Sequence, residues 1–166
     1  MTVLLTGGSG NLGQTLVPRL LDRGNTPVIL DVRAPRHLKK GALFIDGSIL
    51  DRAKLTEAFR GCDCIVHIAA WHGIHEDRGE KNAYDFFDLN VRGTFEVFEA
   101  AASLGIDKII FISTTSVHRP DTLYGRSKIS RGVNCRGLQK APRDECGHSS
   151  PPGLHSALGP RRVRPL

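Results

Sequence analysis

The sequence Thr6-Gly7-Gly8-Ser9-Gly10-Asn11-Leu12-Gly13 lies between an apolar segment at residues 2–6 and a segment of helical periodicity at residues 11–23. It satisfies two glycine patterns at once, G-x-x-G-x-x-G from Gly7 and G-x-G-x-x-G from Gly8. Glycines at these spacings permit a tight turn in which the backbone approaches a pyrophosphate, and the free N–H groups at the start of a helix favour its negative charge. The stretch therefore predicts a phosphate-binding loop formed by Gly7, Gly10, Asn11, Leu12 and Gly13.

The next apolar segment ends in an acidic residue. Asp31 follows Gly13 by eighteen positions, at the carboxyl end of the predicted second strand. A carboxylate there can accept hydrogen bonds from a ribose 2′-hydroxyl and repel a 2′-phosphate, so the loop and the acid together predict binding of NAD. Arg33 leaves a second cofactor open, because a nearby arginine can accommodate the 2′-phosphate of NADP. A glycine-rich turn beside an unrelated surface aspartate is the alternative interpretation.

Apolar segments alternate with segments of helical periodicity as far as about residue 113. The predicted strands are residues 2–6, 27–32, 42–45, 63–68 and 108–113. The predicted helices are residues 11–23, residues 51–60 with Asp51 as N-cap, and about 80–104. Because the strands are continuously apolar rather than alternating, they are typical of a parallel sheet covered on both faces. The predicted fold class is α/β, a Rossmann-like doubly wound parallel sheet in the order 3-2-1-4-5, incomplete at its C-terminal side.

Length and composition favour one soluble domain. The 166 residues are 40% hydrophobic and 24% charged, as in ordinary globular proteins, and no apolar run approaches the length of a membrane span. No basic and apolar leader precedes the first strand, so we expect a cytoplasmic protein without a signal peptide. The cysteines, which form neither a disulfide framework nor a C-x-x-C pair, are Cys62, Cys64, Cys135 and Cys146. The nearby histidines do not give them the spacing of a zinc site, and no metal is expected.

The net charge of +6 is distributed unevenly along the chain. Residues 1–130 carry 16 Lys and Arg against 15 Asp and Glu, whereas residues 131–166 carry 7 against 2. The predicted domain therefore lacks the basic surface that binds nucleic acid. Residues 131–166 also contain five Pro, five Gly and no aromatic residue. We divide the chain into an NAD-binding domain at residues 1–130 and an irregular, basic, Pro/Gly-rich tail at residues 131–166.

Five further motifs follow the glycine-rich stretch. They are GSILD at 47–51, DCIVHIAA at 63–70, LNVRGT at 89–94, FISTTSV at 111–117 and YGRSK at 124–128. In this order the motifs resemble the extended short-chain dehydrogenase/reductase family, which includes NAD-dependent epimerases and dehydratases, over residues 1 to about 130. The resemblance implies an enzyme that acts with NAD on a sugar or nucleotide-sugar type of substrate, with no nucleic-acid or membrane partner. The family also allows a homodimer in its full-length members.

By this resemblance, two groups of residues contact the cofactor besides the phosphate-binding loop. Ser48 and Ile49 lie beside the adenine, although the family usually has Asp in the place of Ser48. Ile68, Ala69 and Ala70, at the end of the fourth predicted strand, line the nicotinamide side. Ordinary core packing is the alternative interpretation for each apolar residue of these groups.

A Y-x-x-x-K pattern joins Tyr124 and Lys128, which would share one face of a helix. A phenol is a poor base at neutral pH, and a neighbouring cation favours its ionised form. By resemblance this pair is catalytic, the lysine also holds the nicotinamide ribose, and Thr114 matches the Ser/Thr that hydrogen-bonds the substrate oxygen. Tyr124 follows Thr114 by only ten positions, where extended members have a longer segment. Asn90 matches a helix asparagine that supports the sheet, and residues 71–80 are expected on the substrate side.

The tail departs from the family, in which the tyrosine helix continues and is followed by a strand and a substrate domain. A one-nucleotide shift of the reading frame near residues 129–131 permits an amphipathic helix and an apolar strand in its place. We therefore hypothesise a frameshift that truncates a longer enzyme after the Y-x-x-x-K motif, and a genuine basic tail is the alternative. For the function, the alternative to an active enzyme is a non-catalytic NAD-binding fragment or pseudoenzyme that lacks its substrate domain.

Overall fold

The computed structural model describes residues 1–118 and 121–138, with side chains as far as residue 130. The strands are β1 (Thr2–Thr6), β2 (Thr26–Asp31), β3 (Leu43–Asp46), β4 (Cys64–His67) and β5 (Ile109–Phe111). All of them pair in parallel within one sheet. Their order is β3-β2-β1-β4-β5, which confirms the order predicted from the sequence. In the described residues β5 is an edge strand, and its Ile110 is 55% exposed.

The helices largely follow the predicted segments. They are α1 (Asn11–Asp22), α2 (Arg52–Phe59), α3 (Gly73–Asp77), α4 (Ala83–Phe86), a π-helical segment (Phe87–Arg92), α5 (Gly93–Ser103), a 3₁₀ turn (Thr115–His118) and α6 (Leu123–Leu138). Asp51 caps α2 as predicted, because its carboxylate accepts hydrogen bonds from the N–H groups of Ala53 and Lys54. The single helix predicted at 80–104 is instead three consecutive pieces, since the π-helical segment separates α4 from α5. None of the helices in the described ranges is long and apolar enough to cross a membrane.

Helix α6 continues past residue 130, where the composition places the end of the domain. Its backbone remains helical to Leu138, within the segment that the composition predicts to be irregular. Extending an existing helix fixes fewer torsions per hydrogen bond than starting one, so a helix anchored in the domain continues through residues that lack amphipathic periodicity. The rest of the predicted tail, residues 139–166, lies outside the described residues.

Two apolar layers cover the sheet, because successive residues of a strand point to opposite faces. One face is covered by α2 and α5, and its buried residues include Leu4, Leu30, Leu55, Ile65 and Val97. The other face is covered by α1, and its buried residues include Val3, Leu5, Val17, Ile29 and Val66. Burial on both faces explains why the central strands are continuously apolar.

The turn between β1 and α1 depends on close approaches that exclude side chains. A Cβ on Gly13 would lie 2.1 Å from the carbonyl oxygen of Gly8, so α1 can start this close to the loop only with glycine there. Gly7 has a φ of +68°, and a Cβ on it would lie 2.7 Å from the Cα of Ala69. The N–H of Gly7 also donates to the carbonyl oxygen of Leu30 at 2.8 Å. These contacts hold the loop against the ends of β2 and β4.

We expect Gly13→Ala to lower the free energy of unfolding by about 2 kcal/mol, because the methyl group would overlap the backbone of Gly8. Urea denaturation followed by circular dichroism measures this change. The matched control is Gly73→Ala, where the added methyl group would make ordinary contacts of 3.7 and 3.9 Å with Tyr124 and should change stability little. Equal stability of the two variants would contradict the close packing of α1 on the loop.

Candidate active site

A cavity of about 950 Å³ opens at the carboxyl ends of the strands. In open α/β sheets a ligand crevice forms where the strand order reverses. Here the reversal lies at β1, because β2 and β4 flank it. The predicted site residues that line the cavity are Gly7, Gly10, Asn11, Leu12, Asp31, Ser48, Ile49, Ile68, Ala69, Ala70, Thr114, Tyr124 and Lys128. Gly13 is the predicted site residue that does not line it, because it packs behind the loop.

Asp31 is fixed at one end of the cavity. Its carboxylate oxygens accept hydrogen bonds from the N–H groups of Ser9 and Arg33, at 3.0 and 3.1 Å. The first of these bonds ties the acid to the glycine-rich loop. Arg33 also lines the cavity, so both residues that bear on a 2′-phosphate lie at this end. Ser48, on the β3–α2 connection, uses its hydroxyl to accept the N–H of Leu50 at 3.1 Å.

Where the glycine-rich loop and the N-terminus of α1 line the cavity, the described residues fit a dinucleotide. Gly7 and Gly10 present backbone rather than side chains to the cavity, and a Cβ on Gly10 would lie 3.3 Å from the carbonyl oxygen of Gly7. The N-terminus of α1 follows directly, and Gly10 at its N-cap offers no side chain that would occupy the free N–H groups. The hydroxyl of Ser9 is buried without a hydrogen-bond partner among the described residues. A pyrophosphate and a ribose hydroxyl are the groups that such a wall suits.

A buried polar chain runs behind the cavity from β1 to α5. The Thr6 hydroxyl lies 2.6 Å from Nδ1 of His67, and Nε2 of His67 lies 3.0 Å from the Thr94 hydroxyl. Since the Thr94 hydroxyl donates to the carbonyl oxygen of Asn90, its oxygen accepts from His67. We therefore place a proton on Nε2 of His67. In the neutral tautomer that carries it there, Nδ1 accepts from the Thr6 hydroxyl.

Asn90 connects this series of buried hydrogen bonds to α6. Its side chain accepts the N–H of Trp71 at 2.8 Å and donates to the carbonyl oxygen of Trp71 at 3.0 Å. It also donates to the hydroxyl of Ser127 at 2.9 Å. Asn90 is fully buried, so these bonds satisfy its amide without water. The residue thus joins the segment after β4 to the helix that carries Tyr124 and Lys128.

Lys128 lies beside the phenol ring of Tyr124, as the i, i+4 spacing predicts. Its side chain is buried, and Nζ donates to the carbonyl oxygen of Ile112 at 3.0 Å. The ammonium lies 5.5 Å from the ring centroids of both Tyr124 and Phe111. Thr114 lines the same cavity, and its hydroxyl accepts the N–H of Ser116 at 3.2 Å. The cavity therefore brings a phenol, an ammonium and a hydroxyl together.

The segment after β4 brings aromatic and imidazole side chains to the cavity. The rings of Trp71 and His75 meet edge to face at 5.1 Å, and Nζ of Lys81 lies 4.4 Å from the Trp71 ring centroid. Glu80 accepts from His75 at 2.7 Å. The ring of His72 lies 5.8 Å from that of Tyr124. These positions place Trp71, His72 and His75 at the cavity, where the sequence led us to expect a substrate-side loop.

Sequence reasoning missed other residues of this cavity. Asp85, Asp88 and Leu89 line it from α4 and the π-helical segment. No motif marks the two aspartates, and Leu89 begins the LNVRGT motif but was not assigned to the site. Within residues 1–118 and 121–138, no group of three or more His, Cys, Asp or Glu side chains could hold a metal ion.

The comparisons with known proteins agree with this geometry. The model of the NAD dependent epimerase/dehydratase family matches residues 3–137. The chain is 30% identical to an L-arabinose 1-dehydrogenase (NAD(P)(+)) of Haloferax volcanii over 162 residues, which are 97% of this chain and 57% of that protein. It is 29% identical to a UDP-glucose 4-epimerase of Streptococcus mutans, over 78% of this chain and 44% of that protein. The chain thus spans less than two thirds of these relatives.

Solved structures show the same fold. A UDP-glucose 4-epimerase matches with a TM-score of 0.75 and 23% identity, over 84% of this chain and 48% of that one. A short-chain dehydrogenase/reductase superfamily protein of Agrobacterium tumefaciens with bound NAD matches with a TM-score of 0.70 and 24% identity, over 85% of this chain and 46% of that one.

Burial and the ammonium of Lys128 both lower the pKa of His72. The pKa of His72 lies below its ordinary value, first because neighbouring residues desolvate the ring and then because Lys128 and His75 repel its positive charge. We expect Lys128→Met to raise the pKa of His72, which NMR titration of the imidazole signals measures. Lys54→Met removes an exposed lysine of α2 and should leave the pKa of His72 unchanged. The same pKa in both variants would contradict the placement of the ammonium.

Proposed function

The chain belongs to the NAD-dependent epimerase/dehydratase family, and we propose that it forms the NAD-binding domain of an oxidoreductase, epimerase or dehydratase for a sugar or nucleotide sugar. The observation that carries this proposal is the single cavity that joins the glycine-rich loop and Asp31 to Tyr124, Lys128 and Thr114. The relatives named above support the substrate class, since their names specify a pentose and a nucleotide sugar. We extend the proposed domain through α6, because the helix and the family match both continue past residue 130.

In this proposal the cofactor lies across the carboxyl edge of the sheet. Gly7, Gly10, Asn11 and Leu12, which line the cavity, would hold the pyrophosphate at the N-terminus of α1, and Gly13 permits the close start of that helix. Asp31 accepts hydrogen bonds from the adenosine ribose. The remaining contacts are Ser48 and Ile49 toward the adenine and Ile68, Ala69 and Ala70 toward the nicotinamide.

In this proposal Tyr124, Lys128 and Thr114 carry out the proton transfer. NAD, when bound, supplies the redox chemistry by taking up a hydride from a substrate carbon or returning it. Tyr124 accepts the proton of the substrate hydroxyl during oxidation and returns it to the oxygen during reduction. Lys128 favours the phenolate through its nearby positive charge and contacts the nicotinamide ribose. Thr114 donates a hydrogen bond to the same substrate oxygen.

Binding of NAD without catalysis is a second candidate function. The observation that favours it is the coverage of the relatives, since the chain spans 57% of the Haloferax volcanii protein and 44% of the Streptococcus mutans protein. Binding and turnover, measured separately on the same preparation, distinguish the two functions.

We expect NADH to bind at least about tenfold more tightly than NADPH, because the Asp31 carboxylate repels a 2′-phosphate. Trp71 is the only tryptophan of the chain and lines the cavity, so energy transfer from it to the reduced nicotinamide measures binding. Asp31→Ala should reduce the preference. Asp46→Ala is the matched control, because Asp46 pairs with Asp31 in the sheet register but does not line the cavity. Equal affinities for NADH and NADPH in the unsubstituted protein would mean that the attraction of Arg33 for the 2′-phosphate outweighs the repulsion by Asp31.

For the active enzyme we expect Tyr124→Phe to reduce kcat about 100-fold or more, with little change in NAD affinity, because the variant loses only the proton-transfer group. Lys128→Ala should impair both kcat and NAD affinity. Initial rates of NADH formation with aldoses and of isomerisation with nucleotide sugars provide the measurement. Tyr84→Phe is the control, since Tyr84 is the other tyrosine and is 83% exposed. Full activity of Tyr124→Phe would reject the mechanism.

A further inference from the structure

We propose that Glu76 of α3 is a positioning residue that holds the first turn of α6, and with it Tyr124, at the cavity. The inference rests on the proposed function insofar as Tyr124 is the catalytic acid and base. The contact itself is independent of that role.

The first N–H groups of a helix have no partners within the helix, and in α6 those of its first three residues are satisfied by side chains. The N–H of Leu123 donates to Oε1 of Glu76 at 2.8 Å, and the N–H of Tyr124 donates to Oε2 at 3.1 Å. The N–H of Gly125 donates to the Thr122 hydroxyl at 3.0 Å. The regular helical bonds begin with the N–H of Arg126, which donates to the Thr122 carbonyl oxygen at 3.0 Å. Two of the three groups that lack a helical partner thus depend on a side chain 47 and 48 positions earlier.

A carboxylate suits this position for two reasons. An ionised carboxylate only accepts hydrogen bonds and has two oxygens, so it can serve both N–H groups at once. Its negative charge also lies at the positive end of the helix dipole. Among the described residues Glu76 forms no ion pair, so its charge is not engaged by a basic side chain. The local cap, Thr122, already serves Gly125 and cannot replace Glu76.

The same short helix forms part of the substrate-side wall. His72 precedes α3 and lies 5.8 Å, ring to ring, from Tyr124, while a Cβ on Gly73 would lie 3.7 Å from Cδ1 of Tyr124. His75, one position before Glu76, lines the cavity. Helix α3 therefore contacts Tyr124 at both its backbone and its ring, and it links the wall that faces the substrate to the residue that would move the proton.

The body of α6 is held by other contacts. The Ser127 hydroxyl accepts a hydrogen bond from the side-chain amide of Asn90, and the Lys128 ammonium donates to the carbonyl oxygen of Ile112. Loss of Glu76 should therefore leave α6 helical and the lysine in place, while the turn that contains Tyr124 becomes free to shift. This separation predicts an effect on kcat rather than on cofactor affinity.

The test compares Glu76→Gln, Glu76→Ala, Thr122→Ala and the surface control Glu57→Gln, whose carboxylate is exposed and pairs with Lys54. In Glu76→Gln the amide nitrogen cannot accept a hydrogen bond, so one of the N–H groups of Leu123 and Tyr124 should exchange with solvent roughly tenfold faster or more. In Glu76→Ala both should do so. Thr122→Ala should accelerate exchange at Gly125 and spare the other two. Exchange requires neither NAD nor turnover, so it tests the contact even if the proposed function fails.

The catalytic readout separates positioning from stability. In an active preparation Glu76→Gln should lower kcat about tenfold or more while KM for NAD and the melting temperature stay close to those of Glu57→Gln. In a preparation that only binds NAD, a Tyr84→Phe background leaves Tyr124 as the single tyrosine, and its ring contact with His72, followed by NMR, should weaken in Glu76→Gln. Wild-type exchange at Leu123 and Tyr124 in both Glu76 variants would overturn the proposal. An unchanged kcat in the active preparation, or an unchanged ring contact in the preparation that only binds NAD, would also overturn it. The same holds if KM for NAD rises and the melting temperature falls in proportion to the loss of kcat.

Discussion

The absence of a side chain at residue 13 is the constraint on which the rest of the site depends. Helix α1 starts so close to the loop that a Cβ on Gly13 would lie 2.1 Å from the carbonyl oxygen of Gly8. This approach directs the N-terminus of α1 at the cavity and leaves the loop close enough to β2 for the N–H of Ser9 to reach Asp31. The glycine-rich loop and Asp31 therefore form one connected unit, and neither could be displaced without moving the other.

A second unit holds the helix that carries Tyr124 and Lys128, and it is polar rather than apolar. Hydrogen bonds pass from Thr6 through His67 and Thr94 to Asn90, and from there to Ser127 on α6. His67, Asn90 and Thr94 have no exposed surface, so each unmade bond would carry the full cost of desolvation. Such a chain tolerates few alternative arrangements. It fixes the distance between the strand that feeds the loop and the helix that carries Tyr124 and Lys128.

The features that sequence predicts here are those encoded by local spacing. Buried apolar runs gave the strands and their parallel order, and the interval from Gly13 to Asp31 placed the acid at the cavity because one helix and one strand fill it. The i, i+4 interval likewise placed Lys128 beside Tyr124. The π-helical segment and Glu76 were not predictable in this way. The first coincides with a side-chain contact, in which the Thr94 hydroxyl donates to the carbonyl oxygen of Asn90. The second pairs residues 47 positions apart, for which a single sequence carries no periodic signal.

The π-helical segment has a consequence for how this region can change in evolution. A wider turn accommodates one more residue than an α-helical turn of the same rise, and each residue of an α-helix advances about 100° around the axis. Helices α4 and α5 are therefore out of phase, which allows Phe86 on one side and Val97 on the other to be buried while Asn90 faces the interior. Deleting one residue between Phe87 and Arg92 would make α4 and α5 one continuous α-helix. It would also rotate α4 by about 100° relative to α5, so that their present buried faces would no longer both point inward. In this stretch the number of residues is thus under stronger structural constraint than the identity of its exposed side chains.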